Sequence, residues 1–411
     1  MNYDYDAIIC GGGAAGLFAA IFAAERGRRV LLLEKGRKAG VKILMSGGTR
    51  CNITHDCDTR GIVEAFGPNG RFLHSALASF TPKDVLAFFH GEGVETKVED
   101  TGKIFPVSNR AVDVLDAILS RLDRSRAKLA LGEPALAVEK ITDGGFRVST
   151  GTRQLSCEHL LITTGGLSYP GCGTTGDGYG FAKQFGHTVT ATTPALVPLT
   201  MNASWVPELK GITVPSAGLK VYDSENKLLA SRKGSLLFAH FGLTGPAPLD
   251  VSRAVSGHAT PNRLSLEMDF LPGETEAGFD EFLKTETLAQ GKKQLAGVMA
   301  ERLPRRICDT LLAQAEMPAD RKAAALSKPD RQKLAAMAKR LRVPLRGTLG
   351  FEKAEVTAGG VSLDEVDSRT MQSKLQPGLF FAGEVLDLDG WIGGYNFQSA
   401  WSTGYLAAKF I

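Results

Sequence analysis

Gly11, Gly13 and Gly16 stand at G-x-G-x-x-G spacing directly after YDAIIC and open the pattern AGLFAAIFAAERG. The run before them is apolar with two β-branched residues, as a buried parallel strand requires. The run after them has helical periodicity and stops at Gly27, a plausible C-cap. A second strand pattern, RVLLLE, then ends in Glu34. Each part has a task in holding an adenine dinucleotide. Gly11 permits the tight turn, Gly13 lets backbone N–H groups approach a pyrophosphate, and Gly16 lets helix and strand pack closely. The positive helix end faces the phosphates. Glu34, about 20 residues beyond the glycines, can accept hydrogen bonds from ribose hydroxyls. The stretch does not separate FAD from NAD. A membrane anchor or signal peptide is a poor fit, because Gly11–Gly13 breaks the run after AIIC and the start is acidic, with Asp4 and Asp6.

Three further glycine-bearing segments select the cofactor: Met45 to Asn52 (MSGGTRCN), Thr163 to Gly166 (TTGG) and Phe380 to Ala400. A small nucleotide does not need both ends of such a chain, whereas FAD lying across a sheet does. In the last segment, GLFFAG reads as a strand ending at Gly383. Glu384 and Asp387 or Asp389 follow, where acids can bind ribityl hydroxyls. Gly393 and Gly394 permit close approach to a flat ring. A helix follows, with Asn396 as candidate N-cap. Its N-terminus, aimed at the flavin pyrimidine, would stabilise negative charge on the reduced ring. Gly171 to Gly178 (GCGTTGDG) has the spacing of a second fingerprint, but Pro170 separates it from the preceding strand and the next strand carries no acid. It reads as a flavin-side loop with Asp177 near the cofactor. NAD(P)H would then bind transiently, as a diffusible co-substrate without its own Rossmann domain.

Flavin performs the hydride chemistry, and the protein positions and tunes it. Tyr395 and Trp391 sit in the glycine loop expected near the ring. His240 begins a turn in FAHFGLTGP. Arg50, between Gly47-Gly48 and Asn52, is placed to meet the cofactor or an anionic substrate. No catalytic residue is singled out. Six scattered cysteines with no CxxC pair indicate free thiols in a cytoplasmic protein, with no zinc site. Cys51 and Cys57 are the one spacing that would allow a redox pair.

With 411 residues the chain is expected to hold two or three domains. Its texture is α/β to about residue 193, antiparallel β from 194 to 273, helical from 274 to 335, β again from 336 to 353, and α/β from 354 to 411. VYDSENKLL carries a hairpin turn at Asp-Ser-Glu-Asn. The net charge of +4 demands no nucleic-acid partner. The segment from Glu301 to Arg346 is clearly basic, and a polyanion surface is its functional reading. No aromatic residues interleave with those cations, so a base-stacking platform is absent from the local sequence.

Taken together, these segments resemble the bacterial flavoprotein family that includes aminoacetone oxidases and dehydro-bile-acid reductases. The resemblance spans nearly the whole chain, through CGGGAAGLFAAIFAAERG, EKGRKAGVKILMSGGTRCNIT, TTGGLSYPGCGTTGDGYGFAKQFGHTV, PALVPL, FAHFGLTGPAPLDVS, AEVTAGGV and GLFFAGEVLDLDGWIGGYNFQSAWSTG. It implies a glutathione-reductase-like FAD domain of Rossmann type, interrupted by an inserted β-barrel-like domain and a helical domain. It implies that Gly11, Gly13, Ala14, Ala15 and Gly16 hold the pyrophosphate and Glu34 the adenosine ribose, with Lys35 beside it. Lys42, Gly47, Gly48, Arg50, Cys51 and Asn52 would line the path to the flavin, Ala135 would approach adenine, and Thr164 and Gly165 the adenosine side. Gly383, Glu384, Asp389, Gly394, Asn396 and Phe397 would surround ribityl chain and flavin. One departure is Thr49, where the family often has a third glycine. The expected function is an FAD-dependent oxidoreductase acting on a small organic substrate where the FAD and inserted domains meet. The alternatives are a flavin-dependent RNA-modifying enzyme, resting on the basic helices, and a flavin-binding protein without turnover.

Overall fold

The apolar runs around the first glycines pair in parallel. In the computed structural model, which describes residues 3–142 and 144–411, β1 (Tyr5–Cys10) lies between β2 (Val30–Glu34) and the nine-residue β9 (Gln154–Ile162). β6 (Lys128–Leu131) adds to β2 in parallel. β9 has two neighbours on its other side. Its first half pairs antiparallel with β8 (Phe146–Ser149), which carries β7 (Ala137–Lys140), and its second half pairs parallel with β16 (Leu379–Phe381). The central strands are buried on both faces, which is why they read as unbroken apolar runs.

This register brings the scattered glycines together. Cys10 is aligned with Leu33 and Ile162, and Phe381 with Ile162. Residues 11, 34, 163 and 382 therefore leave the sheet side by side at its carboxyl edge, where open α/β sheets bind ligands. Helix α1 (Ala14–Glu25) follows the first glycines, α2 (Val41–Thr49) follows β2, α3 (Asp177–Gln184) follows the Thr163–Gly176 loop, and α8 (Tyr395–Ala408) follows Gly393-Gly394. Glycine lets α1 and α8 approach closely, since a Cβ on Gly404 would lie 2.4 Å from the Ala15 carbonyl oxygen. A small sheet of β3 (Thr54–His55), β4 (Thr96–Val98) and β5 (Lys103–Pro106) completes this unit, which comprises residues up to 193 and 355–411.

Residues 194–354 form a second unit with its own core. Six strands close into a barrel in the order β10 (Leu199–Met201), β13 (Gly242–Thr244), β12 (Leu228–Ala239), β11 (Thr213–Tyr222), β14 (Ser265–Asp269) and β15 (Leu341–Thr348). The Asp-Ser-Glu-Asn group turns β11 into β12, with the Asp223 side chain accepting from the Glu225 and Lys227 backbone. Between β14 and β15 lie α5 (Glu276–Ala289), α6 (Arg305–Gln314) and α7 (Lys328–Arg340), and α4 (Pro246–Ser256) packs on the barrel strands. Among the described residues no helix is long and apolar enough to cross a membrane.

Candidate functional site

At the carboxyl edge of the sheet, Gly11 turns at φ +112°, and its amide donates to Leu33 O at 2.8 Å. A Cβ there would meet Thr163 O at 2.5 Å, and one on Gly16 would lie 1.9 Å from Gly11 O. These two glycines are fixed by the protein's own packing. Gly13 differs: it has φ −82°, caps α1 without a side chain, and a Cβ there meets nothing within 4 Å. Open space thus faces the N-terminus of α1, whose first amides carry partial positive charge. Glu34 stands beside it. Its carboxylate accepts from the Gly12 amide at 2.9 Å and the Gly36 amide at 2.6 Å, which orients it and leaves lone pairs for hydroxyl donors.

Lys35 extends to Thr175 and to Asp177, both at 2.5 Å. The loop Gly171–Gly178 is thereby tied to the end of β2. Asp177 begins α3 next to the end of β2, because the Thr163–Gly176 loop folds back across the sheet edge. Within that loop Thr164 has a buried hydroxyl with no hydrogen-bond partner, and Gly165 takes φ +73°. Ala135, between β6 and β7, is partly buried against the same core.

The second glycine segment is a left-handed passage. Gly47, Gly48 and Thr49 have φ of +56°, +68° and +68°, and Cys51 has +61°. A β-branched residue in this region is strained, by about 1–2 kcal/mol relative to right-handed backbone. Thr49→Gly should therefore stabilise the fold by about 0.5–1 kcal/mol after the extra unfolded-state entropy of glycine is subtracted, read as a higher urea midpoint of unfolding. An unchanged or lower midpoint would refute this. Asn52 is buried, and its Oδ1 has no hydrogen-bond partner. Arg50 is less available than its sequence position suggests. It pairs with Glu99 at 2.6 Å and lies over the Phe105 ring at 3.9 Å, so the β4–β5 hairpin neutralises it. The Cys51 and Cys57 thiols are free; burial pushes Cys51 up to about 12 and Cys57 up to about 11, so both are protonated at neutral pH.

Lys42 and Glu384 join the second and fourth glycine segments. Their ion pair measures 2.6 Å, and Ser168 bridges it, accepting from Lys42 at 2.8 Å and donating to Glu384 at 2.6 Å. The Thr357 amide also donates to Glu384. Glu384 is thus held in place by three partners from separate segments of the chain. Gly383 precedes it at φ +75°. Asp389 is buried, and Asp387 accepts from Thr190 at 3.0 Å.

The turn before α8 carries the main departure from the sequence expectation. Asn396 does not cap the helix. Gly394, at φ +94°, occupies the cap position, so the helix begins at Tyr395. The Asn396 amide instead folds back, accepting from Gly390 N at 2.8 Å and donating to Gly390 O at 3.0 Å, which closes the loop into a rigid ring. Phe397 stacks on Trp401 at 5.3 Å. His55 was not visible in sequence. It stacks on Tyr395 at 4.5 Å, and its Nδ1 lies 2.9 Å from the Gly393 carbonyl. A carbonyl only accepts, so Nδ1 carries the proton, and burial holds the ring below the ordinary histidine range. His55 and Tyr395 brace this turn, whose Gly393 and Gly394 are themselves buried: a Cβ on Gly394 would lie 2.4 Å from the Thr54 carbonyl oxygen. His240 is exposed on the β12–β13 turn of the barrel.

These features fit an adenine dinucleotide: an open helix N-terminus at Gly13, an oriented acid at Glu34, and unpartnered buried polar atoms on Asn52 and Thr164. A model described as the HI0933-like protein Rossmann domain matches residues 5–410. The chain is 37% identical over 408 residues to the ribosomal RNA dihydrouridine synthase of Escherichia coli (strain K12), covering 98% of this chain and 97% of that one. It is 29% identical to the 3-dehydro-bile acid delta(4,6)-reductase of Clostridium scindens, over 98% and 97% of the two chains. Among solved structures, the 3-ketosteroid delta1-dehydrogenase of Sterolibacterium denitrificans covers 99% of both chains with a TM-score of 0.51 and 14% identity. That likeness is one of fold.

Proposed function

Because the chain belongs to the HI0933-like Rossmann family, whose fold is an FAD-binding one, we propose that it is a flavin-dependent enzyme reducing uridine in ribosomal RNA to dihydrouridine. The observation that carries this reading is the 37% identity to a synthase of that name along the full length of both chains. It puts first the RNA-modifying reading, which the sequence alone leaves as an alternative to a small organic substrate. Charge supports it. Residues 194–354 hold 23 Lys and Arg against 17 Asp and Glu, while the rest of the chain holds 25 against 27. The positive excess is confined to the barrel unit, as a polyanion-binding unit requires.

FAD, when bound, supplies two-electron hydride chemistry. The amides at Gly11–Gly16 and the N-terminus of α1 would hold its diphosphate, with Glu34 on the ribose. Asn52 and Thr164 offer their unpartnered atoms. The α8 N-terminus behind Gly393-Gly394 would stabilise negative charge there. His55 and Tyr395 keep that turn in place. Saturating the uracil C5=C6 bond takes a hydride at one carbon and a proton at the other, and NAD(P)H is the proposed diffusible source of the electron pair. That bond is conjugated to a carbonyl, the chemistry that a steroid-type enone also presents. A small conjugated ketone is therefore the second reading, supported by the 29% identity to a bile-acid reductase.

The test is anaerobic. Protein reduced with NADPH is mixed with unmodified ribosomal RNA transcribed in vitro or with a steroid enone, while flavin absorbance and dihydrouridine mass are followed. We expect reoxidation by the RNA and one dihydrouridine per reoxidised flavin. Reoxidation by the enone alone, with no dihydrouridine, would overturn the RNA reading.

A further inference from the structure

The outer face of the barrel across β12, β11, β14 and β15 is charged and grooved. Along β15 the buried Leu341, Val343 and Leu345 alternate with exposed Arg342, Pro344 and Arg346. Strand register aligns Ser231, Lys220, Glu267 and Arg342 in one row across the sheet. In the next row Gly218 lies between Lys233 and Asp269. With no side chain at Gly218, a cleft of about 290 Å³ opens there, walled by Lys220, Lys233, Glu267 and Asp269 among others. The two acids are already engaged. Asp269 pairs with Lys339 at 2.8 Å, and Glu267 is shared by Arg342 at 2.9 Å and Lys220 at 3.5 Å. With the adjoining turn included, Lys220, Lys227, Lys233, Arg342 and Arg346 stand against Asp223, Glu225, Glu267 and Asp269, a small positive excess.

It also holds the aromatic partner that the local sequence lacked. The Arg342 guanidinium lies 4.1 Å from the centroid of the Tyr222 ring and is steadied by Glu267 and by Asn226 at 2.7 Å. Tyr222 comes from β11, far from the basic helices in sequence, and the pairing of β11 and β15 on either side of β14 sets it under Arg342. A planar cation fixed on an aromatic ring beside a basic groove is the arrangement that single-stranded nucleic acid uses, with phosphates on the lysines and a base on the stack.

We propose that this face docks the RNA substrate, with Lys220, Lys227, Lys233 and Arg346 against phosphates and the Tyr222–Arg342 pair stacking an unpaired base. The proposal rests on the RNA reading above and adds where the RNA sits. The test uses the flavin-loaded full chain and unmodified ribosomal RNA, with binding measured across a salt series. Lys220→Gln with Lys233→Gln should lower the slope of log affinity against log salt by about 1.4–1.8, since each phosphate contact releases about 0.7–0.9 counterion. Tyr222→Leu should weaken binding about tenfold with the slope unchanged, as loss of one stacked base does. Retained flavin in each variant verifies folding. If the parent protein binds RNA and both variants bind it equally well, the face is wrong and the RNA reading stands. If the parent binds no RNA and makes no dihydrouridine, that reading fails and the face falls with it.

Discussion

Gly13→Asp should give a folded, colourless protein. The position has φ −82°, and a Cβ added there meets no protein atom within 4 Å. Gly13 is also the N-cap of α1, where aspartate is favoured and gains a few tenths of a kcal/mol over glycine. Stability should thus hold or rise slightly. The carboxylate would stand where the diphosphate is expected, replacing an attraction between helix end and anion with like-charge repulsion. Retention of flavin after gel filtration, read from absorbance, should fall below a tenth of the parent value. A variant that stays yellow would remove the diphosphate from this helix end.

Gly16→Ala, three residues later, should fail by the opposite route. Its Cβ would lie 1.9 Å from the Gly11 carbonyl oxygen and 2.6 Å from Thr163 Oγ1. Neither contact can relax without moving α1 off β1, because Thr163 is itself bonded to Gly11 O at 2.8 Å. Overpacking of this kind costs about 3 kcal/mol or more. We expect low soluble yield and an early thermal transition even with excess FAD present. A variant as stable as the parent would show that the helix has slack that this packing denies.

The contrast between the two glycines shows what was legible in the sequence. Strand, turn, helix, strand and acid follow one another within 30 residues, so local pattern alone carried β1 to Glu34. The hairpin at Asp223 is likewise a local signal. What escaped is non-local. His55 sits on a two-residue strand with no periodicity to mark it. Asn396 has the sequence of a helix cap, but Gly394 starts the helix first and the amide serves the loop instead. Asp177 stands out in sequence by its neighbourhood in glycines, but its partner Lys35, 142 residues away, does not. The Tyr222–Arg342 pair exists only because β11 and β15 both pair with β14. Thr49 was visible as a departure from a glycine pattern, and the backbone angle supplies the reason that the pattern exists.

The division of β9 between two neighbours bears on how the molecule is made. β8 reaches its first half from the adjoining stretch of chain, but β16, on the second half, is translated only after the entire barrel unit. During synthesis the barrel can collapse around its own core while the carboxyl half of β9 still lacks that partner. The lysine at position 42 waits equally long for Glu384. This carboxyl edge of the sheet is therefore completed only in the closing stage of synthesis, and a nascent chain stalled before Leu379 would expose an unpaired strand edge of the sort that chaperones shield.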